Sequence, residues 1–118
     1  MSTTEEALLQ LILPEGILDY FEVSNVNSLL EEIWIYLEEK NNLVLENSTD
    51  KIISKGFFPE ALINDFPIRG KKVYLMVKRR RWINTRTQMI VTRDWELVAK
   101  GTRYTQEFAA FLKEISRY

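Results

Sequence analysis

The chain has 118 residues, a length typical of one domain, and 46% of them are hydrophobic, which is enough to form a core. It contains no Cys and no His, which excludes disulfides, zinc ribbons and imidazole chemistry and leaves only all-oxygen metal sites. The longest apolar run, residues 7–13, is far shorter than the roughly 20 residues of a membrane span, and the acidic N-terminus is unlike a signal peptide. We expect a soluble cytoplasmic protein of one domain, residues 1–118, with no membrane partner and no cofactor.

The net charge of −1 conceals a strong segregation of charge along the chain. Residues 1–50 contain eleven acidic side chains and one basic side chain, whereas residues 69–103 contain eleven basic and two acidic ones. Such asymmetry is typical of a face that binds a polyanion. The alternative is that the acidic half covers the basic half within the fold.

The N-terminal segment predicts two short helices. Ser2 or Thr3 can cap the first, whose apolar face carries Leu8, Leu11 and Ile12 at helical spacing. Pro14-Glu15 suits the first turn of the second helix, over residues 14–21. We expect the apolar side chains of both helices to pack in the core.

The middle of the chain predicts strands. Residues 30–40 alternate aliphatic and aromatic side chains with the period of a strand, and residues 61–66 predict a second strand after a polar loop. Pro67-Ile68-Arg69-Gly70 is typical of a type I turn. Residues 71–82 then predict one long strand that becomes basic on both faces from Lys78 onward.

The C-terminal part predicts a hairpin and a helix. Trp82 and Ile90 would pair across a basic tip, residues 94–99 are ambiguous, and Thr105 can cap a last helix. That helix has an apolar face of Phe108, Phe111, Leu112 and Ile115. The predicted fold class is therefore α+β: a small antiparallel sheet of three to five strands, with N-terminal helices and a C-terminal helix packed on it.

Few residues offer catalytic chemistry. There is no phosphate-binding or dinucleotide-binding glycine motif and no acidic calcium loop. A metal-dependent nuclease would need carboxylates to converge, and Asp65, Asp94 and Glu96 are the candidates. The alternative is that these carboxylates are solvated, and we expect a protein that is not an enzyme.

The basic hairpin is the candidate binding site. Its cations can contact phosphates, a two-stranded ribbon fits the major groove, and Trp82 and Tyr74 can stack on bases. The primary DNA-binding candidates are Lys71, Lys72, Lys78, Arg79, Arg80, Arg81, Trp82 and Arg86, and the secondary candidates are Arg69 and Arg93. Reversing the charge of residues 79–81 is expected to abolish DNA binding without unfolding the chain. The alternative is that Trp82 covers the core while the arginines pair with Glu38, Glu39 or Glu96.

The segment 57–82, with the run Asp65-Phe66-Pro67-Ile68-Arg69-Gly70 ahead of the basic strand, resembles the N-terminal region of ISAon-type insertion-sequence transposases. The resemblance extends over residues 11–21, 33–39 and 93–108. It implies a relation to ISL-type transposases, whose N-terminal domain binds zinc through cysteines that flank this hairpin. Because this chain has no Cys, the resemblance implies the scaffold without the metal, and the rings of Phe57, Phe58, Trp82 and Trp95 are hypothesised to replace it.

The resemblance implies a non-catalytic accessory domain of a transposase that contacts the transposon ends. The alternative function is a protein–protein interaction module that docks on the transposase catalytic protein or self-associates. In that case the acidic residues Glu31, Glu32, Glu38 and Glu39 would meet the partner, and exposure of Trp34 and Tyr36 would favour it. A continuous basic face would favour DNA, and an apolar patch beside the acidic strand would favour a protein partner.

Overall fold

The computed structural model describes residues 4–45, 48–101 and 106–118. Within these ranges the chain forms three α-helices, one 3₁₀ helix (Ile17–Asp19) and seven strands. The helices are α1 (Thr4–Ile12), α2 (Trp95–Gly101) and α3 (Gln106–Ile115). The strands are β1 (Phe21–Ser28), β2 (Glu32–Glu39), β3 (Ile52–Phe57), β4 (Ala61–Ile68), β5 (Lys71–Lys78), β6 (Arg80–Asn84) and β7 (Ile90–Val91).

The strands form two sheets. The larger sheet has the order β1-β2-β5-β4, and the smaller has the order β3-β6-β7. The central pair β2–β5 is parallel, with Ile35 opposite Leu75, whereas the other pairs are antiparallel. The α+β class is confirmed, and the parallel pair is a feature that the predicted antiparallel sheet did not include.

The core lies on one face of the larger sheet. Alternate side chains of β2 and β5, such as Ile35, Leu75 and Val77, are buried there. Helix α3 packs on this face through Phe108, Phe111, Leu112 and Ile115, the apolar face that the sequence predicted. Side chains from α1, α2 and the 3₁₀ helix join the same cluster through Leu9, Trp95 and Ile17. All the described helices therefore contribute to one side of the larger sheet.

The N-terminal predictions are partly wrong. Helix α1 forms, but it buries none of its residues, and Leu11 is 80% exposed, with Leu8 and Ile12 also exposed. The segment after Pro14 forms a single 3₁₀ turn instead of a helix, since Phe21 already begins β1. Ile17 and Phe21 fill the core position that was expected for the leucines of α1. The predicted caps Ser2, Thr3 and Thr105 lie outside the described residues.

The turn before β5 also differs from its prediction. Pro67 and Ile68 belong to β4, and the turn residues are Arg69 and Gly70, both with positive φ (54° and 77°). Positive φ at both central residues is the signature of a type I′ turn, which follows the right-handed twist of a tight hairpin better than type I does. Pro67 is tolerated in β4 because this strand lies at the edge of its sheet.

The long strand predicted over residues 71–82 is two strands. It breaks at Arg79, where the chain leaves the larger sheet and enters the smaller one. Strands β1 and β3 were not predicted, because β1 is rich in polar residues and β3 contains Gly56. The predicted hairpin forms, but its register differs by one residue, since Ile83 lies opposite Ile90 and Trp82 lies opposite Val91. The ambiguous segment 94–99 contains the start of α2 at Trp95.

Gly16 provides a test of how the N-terminal segment packs on α3. Its φ is +93°, and a Cβ at this position would lie 3.1 Å from the Phe108 ring. Gly56 also has positive φ (+80°) but open space around it. We expect Gly56→Ala to lower the free energy of unfolding by about 1 kcal/mol and Gly16→Ala by about 2–3 kcal/mol, because only the latter adds a steric conflict. Urea denaturation measures both, and equal losses would contradict this packing.

Candidate functional site

The structure distributes the predicted DNA-binding residues over separate parts of the molecule. Lys71 and Lys72 begin β5 and Lys78 ends it, so the two groups are about 23 Å apart at roughly 3.3 Å per residue. Arg80 and Arg81 lie in the other sheet. These cations therefore do not form the continuous basic face that would favour DNA binding.

Trp82 is not available to nucleic acid. It is 1% exposed, and its indole N–H donates to Oδ1 of Asn41 at 2.8 Å. The prediction that it stacks on a base is wrong, because a fully buried ring has no free face. Tyr74, the other predicted stacking residue, instead packs against Trp34 with 4.6 Å between ring centroids.

Arg80 is committed to contacts within the fold. Its backbone N–H donates to Oε1 of Glu39 at 2.9 Å, and its Nε donates to the Glu39 carbonyl at 2.9 Å. Its Nη1 donates to Oγ of Ser54 at 2.6 Å, and its guanidinium lies 4.6 Å from the Phe57 ring centroid. These contacts argue against the expectation that residues 79–81 can be reversed to Glu without unfolding, since Glu at position 80 would lie against Glu39.

Arg93, a secondary candidate, forms a buried ion pair. Its Nε donates to Oε2 of Glu39 at 2.7 Å, and the two side chains are 8% and 1% exposed. The guanidinium also lies within 5.1–5.8 Å of the ring centroids of Tyr20, Trp95 and Trp82. Such a group cannot reach a phosphate. We call Glu39, Arg80, Trp82 and Arg93 the junction cluster, because they join the end of β2 to β6 and to the chain after β7.

Burial dominates the electrostatics of this cluster. It raises the pKa of Glu39 above its usual range, although hydrogen bonds from Arg93 and Arg80 oppose the shift. The expected pairing of the arginines with Glu39 is thus confirmed, and Lys78 approaches Glu38 at 4.0 Å. Glu96 forms no ion pair with any described residue; its backbone N–H donates to Oδ1 of Asp94, which caps α2.

Arg86 is also paired. Its Nε and Nη2 donate to the two carboxylate oxygens of Asp50 at 2.7 and 2.9 Å. This pair, helped by the Asn84 amide, lowers the pKa of Asp50 to about 2. The carboxylate therefore stays ionised at neutral pH, and it already neutralises the charge of Arg86, whose side chain is 70% exposed.

The remaining cations differ in their surroundings. The Arg79 guanidinium lies 5.5 Å from the Phe58 ring centroid, and its buried Nε has no hydrogen-bond partner among the described residues. Arg81 donates through Nε to the Lys55 carbonyl at 3.3 Å, and Lys71 donates to Oγ of Ser28 at 3.4 Å. Lys72 and Arg69 are exposed.

The carboxylates do not assemble into a metal site. Asp65 lies on β4, whereas Asp94 and Glu96 lie at the start of α2. No group of three acidic residues able to hold a metal ion occurs in the described parts of the chain. The four rings hypothesised to replace zinc are buried or half-buried, as that hypothesis requires; they are Phe57, Phe58, Trp82 and Trp95.

The second face of the larger sheet is the more coherent candidate site. Register places Trp34 beside Tyr74, Tyr36 beside Met76, and Met76 beside Leu62. None of these five side chains belongs to the core cluster, and no described helix contributes to their face. We call these five residues the open face. Trp34, Tyr36, Tyr74 and Met76 are half-buried, and Leu62 is exposed.

The border of the open face is acidic. Glu38 lies beside Tyr36 on β2, Glu22 lies opposite Glu38, and Glu60 lines a hollow with Tyr36 and Met76. Glu32 lies opposite Lys72 at the start of the parallel pair, and Lys78 lies opposite Glu38. Sequence reasoning identified Trp34 and Tyr36 but not their contacts across the sheet, because the parallel β2–β5 register cannot be read from either strand alone.

Comparison of the chain with protein-family models, with curated proteins and with solved structures finds no match. The resemblance to insertion-sequence transposases therefore stays a prediction. None of the helices in the described ranges is long and apolar enough to cross a membrane.

The junction cluster predicts a pH-dependent variant. Removing the cation by Arg93→Met leaves Glu39 buried without its main partner, which we expect to cost about 3–5 kcal/mol of unfolding free energy at neutral pH. Because the pKa of Glu39 then rises further, the variant should regain stability as the pH falls and the carboxyl takes up a proton.

The control is the double variant Glu39→Gln with Arg93→Met, which has no carboxyl to titrate at this position. Its stability should lack the gain on acidification that the single variant shows between pH 7 and pH 5. Urea denaturation across this range measures both proteins. Parallel pH profiles would contradict a buried, ion-paired Glu39.

Proposed function

We propose that this chain is a non-catalytic protein-binding module whose open face contacts a partner protein. The observation that carries the proposal is the row of Trp34, Tyr36, Tyr74 and Met76 on a sheet face without a covering helix in the described structure. Aromatic residues and Met are enriched at the centres of protein interfaces, and the acidic residues lie at the border, where charge is tolerated. An apolar patch beside the acidic strand β2 is the observation that favours a protein partner over DNA.

The charge of the border indicates the chemistry of the partner. The border of the open face has four acidic residues and two basic ones. The acidic residues are Glu22, Glu32, Glu38 and Glu60, and the basic ones are Lys72 and Lys78. Two copies that met through this face would bring like charges together, which opposes self-association. A partner with a basic border complements it. The acidic residue Glu39, expected to take part, is buried in the junction cluster instead.

The transposase catalytic protein implied by the resemblance has the required chemistry. A protein that handles DNA presents basic surface to the phosphates, and part of such a surface can dock on an acidic border. In this proposal the chain is an accessory module that binds the catalytic protein and leaves the contact with transposon ends to it.

DNA binding by the chain itself is the second candidate. The observation that favours it is that Lys71, Lys72 and Arg81 form no ion pair with another described residue. Lys71 and Lys72 begin β5 of the larger sheet and Arg81 lies in the smaller sheet, so the lysine pair and the arginine would contact the phosphate backbone separately. Such contacts would give weak binding without sequence preference.

The protein-binding proposal is tested by site-specific photocrosslinking in cells. A photoreactive phenylalanine analogue at Tyr36 should crosslink to a discrete protein, which mass spectrometry identifies, and the same analogue at Met89, on the smaller sheet's hairpin, should not. With the identified protein purified, Trp34→Ala should weaken binding about 30-fold, or about 2 kcal/mol, in calorimetry, as expected for a central aromatic residue. Met89→Ala, at an exposed position outside the open face, should leave the affinity unchanged.

The DNA alternative is tested by fluorescence anisotropy with labelled duplex DNA over a range of salt concentrations. We expect affinity too weak to measure at physiological salt, because several of the predicted cations are paired or buried. Micromolar binding would instead favour DNA if the logarithm of the binding constant falls, for each tenfold rise in salt concentration, by about 0.9 per phosphate contacted. That binding should then be lost on Lys71→Glu with Lys72→Glu, which avoids the junction cluster.

A further inference from the structure

We propose that the outer edge of β4 and the groove beside it bind an extended peptide that alternates basic and bulky apolar residues. The peptide would add as a strand to the larger sheet. This inference rests on the proposed protein-binding function and places the peptide at the edge of the larger sheet, where Leu62 is shared with the open face.

The groove lies between β4 and α3 and has a volume of about 480 Å³. Its apolar lining includes Leu75 and Phe111, and its acidic lining consists of Asp65, Glu107 and Glu114. Of these carboxylates, Glu114 pairs with Arg117 at 3.5 Å. Burial raises the pKa of Asp65, and the nearby Glu107 adds to this shift although a hydrogen bond from the Phe66 backbone opposes it. Asp65 forms no ion pair with another described residue. Cationic side chains of a bound peptide would compensate the negative charge of Asp65.

The backbone of β4 is suited to strand addition. In the described structure β4 pairs only with β5, so its other side is a free edge. The Leu62 carbonyl accepts a hydrogen bond from the Tyr118 hydroxyl at 3.0 Å, so it points away from β5. Because backbone groups alternate in direction along a strand, the N–H and C=O of Asn64 point to the same free side. An incoming strand can exchange two hydrogen bonds with Asn64.

Both ends of this edge are closed. At one end the Tyr118 hydroxyl already donates a hydrogen bond to the Leu62 carbonyl, and at the other end Pro67 has no N–H to donate. The free edge between them matches a peptide of about four or five residues.

A second hollow of about 320 Å³ extends this acidic groove towards α1. It adjoins the groove, shares Asp65 and Glu107 with it, and is lined by Leu11, Ile12 and Phe66. Phe66 is 70% exposed and Leu11 80% exposed, so these side chains have no partner that buries them within the described fold. Arg69 is the cation at its outer end. Successive side chains of an added strand point to opposite faces of the sheet. Cations at alternate positions can therefore reach Asp65 and Glu107, while the apolar residues between them lie on the other face beside the exposed Leu62.

The test uses two fluorescein-labelled pentapeptides, Lys-Leu-Lys-Leu-Lys and Glu-Leu-Glu-Leu-Glu, with the intact chain. We expect the basic peptide to bind, with a shift of the Asn64 amide in ¹H–¹⁵N spectra, and the acidic peptide not to bind. Methylating alternate peptide nitrogens, which removes strand hydrogen bonds without changing the protein, should weaken binding at least tenfold.

Two variants locate the site. Glu107→Lys, at an exposed position on α3, should weaken the basic peptide at least tenfold, with circular dichroism confirming the fold. Glu22→Lys, a matched reversal at the border of the open face, should leave the affinity unchanged. Absence of binding, or binding insensitive to methylation, would overturn the inference. Binding lost on Glu22→Lys but kept on Glu107→Lys would move the peptide to the open face, so it would overturn this inference while supporting the proposed function.

Discussion

The carboxylate of Glu39 is the group on which the arrangement of the two sheets depends. A buried charge costs several kcal/mol unless it is paired and fully hydrogen-bonded, and both oxygens of Glu39 have donors. Oε1 accepts from the backbone of Arg80, and Oε2 accepts from the guanidinium of Arg93. These donors belong to Arg80, the first residue of β6, and to Arg93, which follows β7. One carboxylate at the end of β2 therefore holds both the start of β6 and the segment that follows β7 in place. The rings of Tyr20, Trp82 and Trp95 surround the guanidinium near this contact.

This arrangement changes what the basic region does. In the sequence, the run from Lys78 to Arg81 resembles a surface for phosphates, but its central arginine and the more distant Arg93 complete the junction between the sheets. Arginine suits this role because its planar group offers several donors at fixed angles and packs on aromatic faces. With these cations used internally, the apolar and aromatic surface of the larger sheet becomes the most continuous feature available to a partner.

The sequence predicted those elements whose signal is local. The alternation of β2 and of the first part of β5, the β6–β7 hairpin and the apolar face of α3 are all set by neighbouring residues, and all are present. The break at Arg79 was missed because its cause, capture of the Arg80 amide by Glu39, lies 41 residues away. The exposure of Leu11 was missed because helical spacing reveals an apolar face but not whether anything packs on it. The burial of Trp82 was one of two stated alternatives, and only its contact with Asn41 decides between them.

The order of the strands along the chain has a consequence for how this protein folds. Strands of the two sheets alternate in sequence: β3 lies between two strands of the larger sheet, and it pairs with β6, which follows the last of them. Neither sheet is a continuous stretch, and the β2–β5 pair closes a loop of about forty residues, as Ile35 meets Leu75. Loops of this kind must close before their contacts can stabilise them, which is typical of slow folding on the millisecond-to-second scale. During synthesis, β2 can pair with β1 at once, but its other edge stays unpaired until β5 has left the ribosome, and β3 stays unpaired until β6 has left it. This interval is when the chain is most prone to aggregate.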